Sequence, residues 1–169
     1  VEGDRALLNL DAKANGEMNG PFNVAGTARL DVLGEAQKVN LDRLDGVFQG
    51  QSIELVNPAT LRLENGVLDL DQLDLKIGDA SIQGELRLDQ PAGRARAGLV
   101  IESLPMPMLA DFGAPDLEGE LTGRIDLEGS LRAPVITGDI AIAGLEVSDD
   151  YASEARPADV RLDLEIGRA

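Results

Sequence analysis

The chain has 169 residues, a formal net charge of −16, and neither His nor Cys. That length suits one substantial domain, and the charge makes nucleic acid and anionic lipid headgroups poor electrostatic partners. Without His and Cys there can be no thiol or imidazole nucleophile–base pair, no zinc site of ordinary composition, no disulfide and no haem ligation. Hydrophobic residues make up 43% of the chain, enough to fold, yet aromatics only 2%: Phe22, Phe48, Phe112 and Tyr151, with no Trp. The apolar volume is therefore aliphatic.

Taken in chain order, the apolar residues recur with period two. The runs are Phe22/Val24/Ala28/Leu30/Val32, Val39/Leu41, Leu61/Leu63, Leu68/Leu70 and Leu73/Leu75/Ile77. They continue as Ile82/Leu86/Leu88, Ala95/Ala97/Leu99/Ile101, Leu121/Ile125/Leu127, Ile136/Ile140/Ile142 and Val160/Leu162/Leu164/Ile166. A helical face would need an apolar residue three positions after Ile82, where Glu85 stands instead. Each run places one strand face in apolar surroundings and the other in water. Ten to twelve strands are expected, and the fold class is all-β.

A strand-level motif, Gly-x-apolar-x-apolar-polar, begins at Gly26, Gly66, Gly84, Gly123 and, loosely, Gly138; the uneven spacing excludes a strict solenoid. Turn signals fall at Asn15-Gly16, Asn19-Gly20-Pro21, Asp45-Gly46, Asn57-Pro58, Asn65-Gly66, Gly78-Asp79 and Gln90-Pro91-Ala92-Gly93. Strands so close in sequence favour antiparallel neighbours in a mostly antiparallel curled sheet. Glycine on the apolar face, as at Gly84 and Gly123, lets a strand bend or admits something close to its backbone. One segment breaks the pattern. In the proline-rich insert 104–115, Pro107 suits a helix start, Met108, Leu109 and Phe112 share a helical face, and Gly113 suits a stop. A short helix near 107–112 is expected to cap one end of the apolar face as a plug, or to touch a ligand there.

The acids carry no chemistry of their own in this pattern. Asp69 and Asp71 alternate with Leu68 and Leu70, so they belong to a solvated strand face with Asp74, and Asp149-Asp150 is a bare pair. No calcium-loop or calcium-repeat motif is present. Ser81, Ser103 and Ser130 have no His to activate them, and Lys13, Lys38 and Lys76 are not placed to do so. No catalytic residue, metal or cofactor is expected, and the chain reads as non-enzymatic. No apolar run approaches the roughly 18 residues that cross a bilayer. The chain begins at Val1 without a signal-peptide pattern, so residues 1–169 read as a single segment excerpted from a longer protein.

So many amphipathic strands create a large apolar surface. It must be covered by a second sheet, closed into a barrel or curled on itself. A groove lined by Leu, Ile, Val, Ala and Gly suits acyl chains, because it offers no hydrogen-bond donors. The other reading is a closed-core β-domain with a structural or interaction role, engaging partner β-strands at an edge.

The stretch from Asp116 to Gly144 closely resembles the TamB family of the AsmA-like superfamily. There, a strand ending Gly-[Ser/Thr]-Leu is followed by x-x-Pro, an aliphatic residue, x-Gly and another amphipathic strand; Gly129-Ser130-Leu131, Pro134, Ile136 and Gly138 occupy those places. Leu61–Asp71, Gly84–Asp89 and the Leu104–Pro115 insert resemble the same family's units, most strongly over 59–147. The resemblance implies a β-taco groove with a hydrophobic interior. It implies a periplasmic segment of a protein anchored in the inner membrane of Gram-negative bacteria, conducting phospholipid acyl chains between inner and outer membrane. It also implies outer-membrane biogenesis, protein secretion and autotransporter assembly with a TamA-like, Omp85-type outer-membrane partner in a translocation and assembly module. The lining residues expected for such a groove are Leu61, Leu63, Leu68, Leu70, Leu86, Leu88, Leu99, Ile101, Ile125, Leu127, Ile136, Ile140 and Ile142, with Met108, Leu109 and Phe112 as the plug. An excerpted sheet would leave its first and last strands unpaired, open to edge-strand dimerisation.

Overall fold

The alternating runs are extended in a computed structural model, which describes residues 5–17, 21–33, 36–48, 50–112, 117–147 and 158–167. The strands are β1 (Arg5–Glu17), β2 (Pro21–Leu33), β3 (Ala36–Phe48), β4 (Gln51–Leu55), β5 (Ala59–Glu64) and β6 (Val67–Ile77). They continue as β7 (Ala80–Asp89), β8 (Arg94–Pro105), β9 (Leu117–Ser130), β10 (Ala133–Val147) and β11 (Ala158–Ile166). All eleven form one antiparallel sheet in sequence order. β4 and β5 both lie between β3 and β6, end to end, and run in the same direction. The Asn57-Pro58 signal thus marks an interruption and not a reversal. Pro58 has no N–H for the ladder, and the Val56 N–H donates to the Asp74 carbonyl at 2.9 Å.

Three hairpins fall where their turn residues stand. Asn65 and Gly66 have φ of 50° and 77°, the paired left-handed conformation of a tight hairpin, and join β5 to β6. Gly78-Asp79 joins β6 to β7, and residues 90–93 join β7 to β8. Gly20 and Asn19 lie outside the described residues. Two other signals are corrected. Asn15-Gly16 lies within β1, paired with Asn23 and Phe22, and Asp45-Gly46 lies within β3, paired with Ala25 and Val24. Packing explains both glycines. A Cβ on Gly16 would stand 2.7 Å from the Phe22 ring, and one on Gly46 only 2.1 Å from the Asn23 carbonyl oxygen. Of the glycines expected to sit close to a backbone, Gly123 does, with a Cβ position 3.0 Å from the Asp139 carbonyl oxygen, whereas Gly84 has only ordinary contacts from 3.8 Å outward.

The strands are longer than their runs because bulges splice runs together. The apolar phase slips between Leu41 and Leu44, Leu70 and Leu73, Ile101 and Leu104, and Ile142 and Leu145. At each slip the ladder register shifts, and the apolar side chains stay on one face. Gln72 and Ser103 take φ of 29° and 50° in two of these bulges, and Gly144 takes 64° in a third.

Between β8 and β9 the chain forms a 3-10 helix, Met106–Phe112. The helix begins one residue before the expected 107 and reaches 112 as expected, whereas Leu104 and Pro105 of the 104–115 insert still belong to β8, opposite Leu121 and Glu120. Two prolines close together favour the tighter winding over an α-helix that needs their missing N–H groups. Gly113 and the rest of 113–116 lie outside the described residues. Ala80, Leu104 and Met108 form the buried cluster, and Phe48, Ile77, Ile82, Ile101, Leu109 and Leu121 pack against it. All of these stand at the end of the sheet that carries the β3–β4 and β6–β7 connections. Elsewhere the sheet has no closed core: among the described residues no large side chain is fully buried.

Candidate functional site

Residues directly opposite on neighbouring strands share a face, so the register assembles the apolar runs into rows across the sheet. One row runs Leu8, Leu30, Val39, Leu61, Leu70, Leu86, Ala97, Leu127, Ile136 and Ile166, with no polar member from the first strand to the last. Beside it run Ala6, Val32, Gln37, Leu63, Leu68, Leu88, Ala95, Gly129 and Pro134. On its other side lie Leu73, Gly84, Leu99, Ile125, Gly138 and Leu164. Leu55, Leu75, Ile82, Ile101, Gly123, Ile140 and Leu162 make a fourth row, and Leu104, Leu121, Ile142 and Val160 a fifth. No charged side chain stands in any of these rows, and Gln37 is their only hydrogen-bonding side chain.

The structure therefore brings every expected lining residue onto one continuous face: Leu61, Leu63, Leu68, Leu70, Leu86, Leu88, Leu99, Ile101, Ile125, Leu127, Ile136, Ile140 and Ile142. All are half-buried except Leu63, which is exposed. Toward the free edges the face opens further, with Leu8 53% and Ile166 57% exposed. Met108 is buried at 7% and Leu109 half-buried in the cluster at the helix end. Phe112 closes the 3-10 helix, but its side chain lies outside what is described.

Leu104 and Met106 are missing from the expected set although both are buried, at 6% and 5%. Leu104 stands one position out of phase with Ile101, a slip that only the bulge reconciles. Leu8 and Leu30 belong to the central row too; the same period-two signal in β1 and β2 marks them.

The opposite face is polar and laced with ion pairs. Arg29 grips Asp42, the extra residue of the β3 bulge, with Nε and Nη2 at 2.7 and 2.6 Å. Arg124 holds Asp126 at 2.7 and 3.0 Å on the same strand. In each case the guanidinium hydrogen bond is the main cause that lowers the carboxyl pKa below its ordinary value. Asp69, expected on the solvated face, pairs with Arg87 at 2.9 Å, and Asp74 accepts from the Asn57 amide at 3.2 Å. Ser81 donates to Glu102 at 3.0 Å. Among the described residues no three acids gather as a metal-ion cluster. Asp149-Asp150 lies outside them.

Fold and faces together define the class: an open, single-sheet antiparallel β-protein with one aliphatic face and one charged face. Comparisons with protein-family models, curated proteins and solved structures find no match.

Proposed function

We propose that the chain is a non-enzymatic length of hydrophobic groove that accommodates the acyl chains of phospholipids. The observation that carries this reading is the unbroken row from Leu8 to Ile166. An apolar surface this long, half-exposed and free of charge, is far larger than the scattered apolar residues of an ordinary surface, and such patches mark binding sites. Aliphatic side chains without hydrogen-bonding groups suit a ligand that is itself aliphatic and recognised by burial alone. The resemblance to the TamB family supports a further reading. The segment would serve in the periplasm as part of a longer inner-membrane-anchored protein, moving lipid toward the outer membrane and supporting protein assembly there with a TamA-like partner.

Two features favour a second reading, addition of a partner's β-strand: among the described residues β1 and β11 each pair with a strand on one side only. Photoreactive residues at Leu86 and Ile140 on the apolar face, at Asp71 and Asp139 outside it, and at Asn9 on β1 and Asp163 on β11 separate the two. Crosslinks to phospholipid in cells only from Leu86 and Ile140 support the groove. Crosslinks to lipid from neither, with protein adducts along β1 or β11, would replace it with the second reading.

A further inference from the structure

Among the described residues β1 and β11 are the two strands with a neighbour on one side only, and their side chains are almost all exposed. The thirteen residues of β1 pair with β2 without a register shift and contain no proline. β11 also runs unbroken, the bulge opposite it belonging to β10. Long, regular edges with exposed apolar side chains are templates for a further strand. The topology decides which strand fits. Because β4 and β5 share one lane, nine antiparallel steps lead from β1 to β11, and the two edges run in opposite directions. A second copy in the same orientation therefore brings its β11 antiparallel to β1, with its aliphatic face on the same side.

The residues then select a register. With 6–14 of one copy opposite 158–166 of the other, all of β11 is paired. On the aliphatic face Leu8 meets Leu164, Leu10 meets Leu162 and Ala12 meets Val160. On the other face Lys13 meets Asp159, Asp11 meets Arg161, Asn9 meets Asp163 and Leu7 meets Glu165, and no like charges face each other. A slip of two residues is the smallest that keeps the faces. In one direction it sets Asp11 against Asp163 and Lys13 against Arg161, and in the other Asp11 against Asp159. The charged groups are open to new partners. Among the described residues neither Asp11 nor Lys13 has an ion-pair partner. Arg161 stands 3.8 Å from Asp139 and 3.9 Å from Asp163, beyond hydrogen-bond distance. Asp159 accepts the Gly144 N–H on Oδ1 at 3.0 Å, which leaves Oδ2.

We propose that β11 of one copy pairs with β1 of a second, in this register, and extends the sheet head to tail. The net charge of −16 is not spread evenly against such a joint. β1 to β3 balance five cations against five acids, whereas β9 to β11 carry nine acids and two cations. An acidic edge thus meets a neutral one, while two β11 edges would set acid against acid. The inference narrows strand addition to one partner, a second copy of this chain. It needs no ligand, and the aliphatic face continues across the joint.

The test is sedimentation velocity of the intact chain over a rising concentration series. Species beyond the dimer are expected, because head-to-tail contact leaves an edge open at each end. Asp11→Arg and Arg161→Asp should each weaken association about fivefold, the scale of one exposed attraction turned into repulsion, and the double substitution should restore it. Arg94→Gln, on an interior strand, should change nothing. Because the chain has no Cys, a mixture of Asn9→Cys and Asp163→Cys chains reports the register. The two positions lie opposite, with Cβ atoms about 5 Å apart, so mild oxidation should join unlike chains in preference to like ones. A chain that stays monomeric, a dimer joined through Asn9→Cys alone, or a double substitution that restores nothing overturns the proposal. Adducts of other proteins at Asn9 on a monomeric chain would give β1 to a different partner's strand. Lipid crosslinks from Leu86 and Ile140 are read separately, so failure of the joint is distinguishable from failure of the groove.

Discussion

Leu8 on the first strand and Ile166 on the last are the two ends of one cross-strand apolar row, and neither has a neighbour beyond it among the described residues. In a closed barrel these two residues would meet. In a two-layer sandwich their row would lie under a second sheet, and its central members would be fully buried. Instead Leu70 and Leu86, at the middle of the row, are only half-buried. Among the described residues the row is thus half-covered at its middle and exposed at both ends.

A charge inside that face should remove its affinity for acyl chains. Leu86→Asp and Ile140→Asp are expected to weaken binding of a fluorescent fatty acid at least about tenfold, since an unpaired carboxylate in an apolar site costs on the order of 1–3 kcal/mol or more. Asp71→Ala on the other face should bind as the parent does. Circular dichroism and urea midpoints separate this from unfolding: Leu86→Ala should lose some stability while retaining the probe.

The helix end should be the most stable part of the molecule, because it holds the buried cluster. Leu104→Ala and Met108→Ala are expected to cost about 2 kcal/mol each by urea denaturation, the lower end of the range for buried large-to-small changes, since an open sheet relaxes easily. Leu63→Ala at the opposite end, 38% exposed, should cost less than half as much. Equal losses at the two ends would show that the cluster has no special weight.

The glycines make a sharper prediction than their uniform appearance in the sequence suggests. Gly46→Ala should destabilise by more than about 1 kcal/mol, because the new methyl meets the Asn23 carbonyl at 2.1 Å. Gly84→Ala should be neutral or stabilise by about 0.5 kcal/mol, because it meets only ordinary contacts and restricts the unfolded chain. Thermal midpoints of the two variants check this directly.

The Arg29–Asp42 pair sets a pH dependence whose sign follows from its direction. The Asp42 carboxyl is held below its ordinary value, chiefly by the hydrogen bond from Arg29. Its contribution is therefore complete above the unfolded carboxyl pKa of about 4 and disappears as pH falls through the lower folded value. The stability difference between the parent and Asp42→Asn should be constant from pH 7 to about pH 5 and shrink toward zero on further acidification. Urea titrations at a series of pH values measure it. A difference that grows in acid would reverse the assignment.

Much of this architecture is legible in the residues. Period-two alternation through Leu86, Leu88, Leu99 and Ile101 dictates strands with one apolar face, because successive side chains on a strand point to opposite sides. The four bulges are legible too, although the separate runs do not by themselves announce them: wherever the alternation skips a step, as from Leu70 to Leu73, an extra residue must be accommodated to keep the face intact. Asp45-Gly46 and Asn15-Gly16 mislead because an Asx-Gly pair is a local turn signal, whereas these glycines answer to a backbone and a ring brought near by pairing with β2.

What the amino-acid order determined alone is which side chains share a face and that this face is aliphatic, since strand geometry fixes both without reference to any partner strand. Tertiary structure decided the rest. Pairing placed β4 and β5 end to end in one lane, set Leu8 and Ile166 in a common row, and among the described residues left β1 and β11 each paired on one side only. It also put Arg87 across from Arg96 and left Arg94 without the Asp89 that faces it. These depend on long-range register and on competition among hydrogen-bond partners, and no local pattern encodes either.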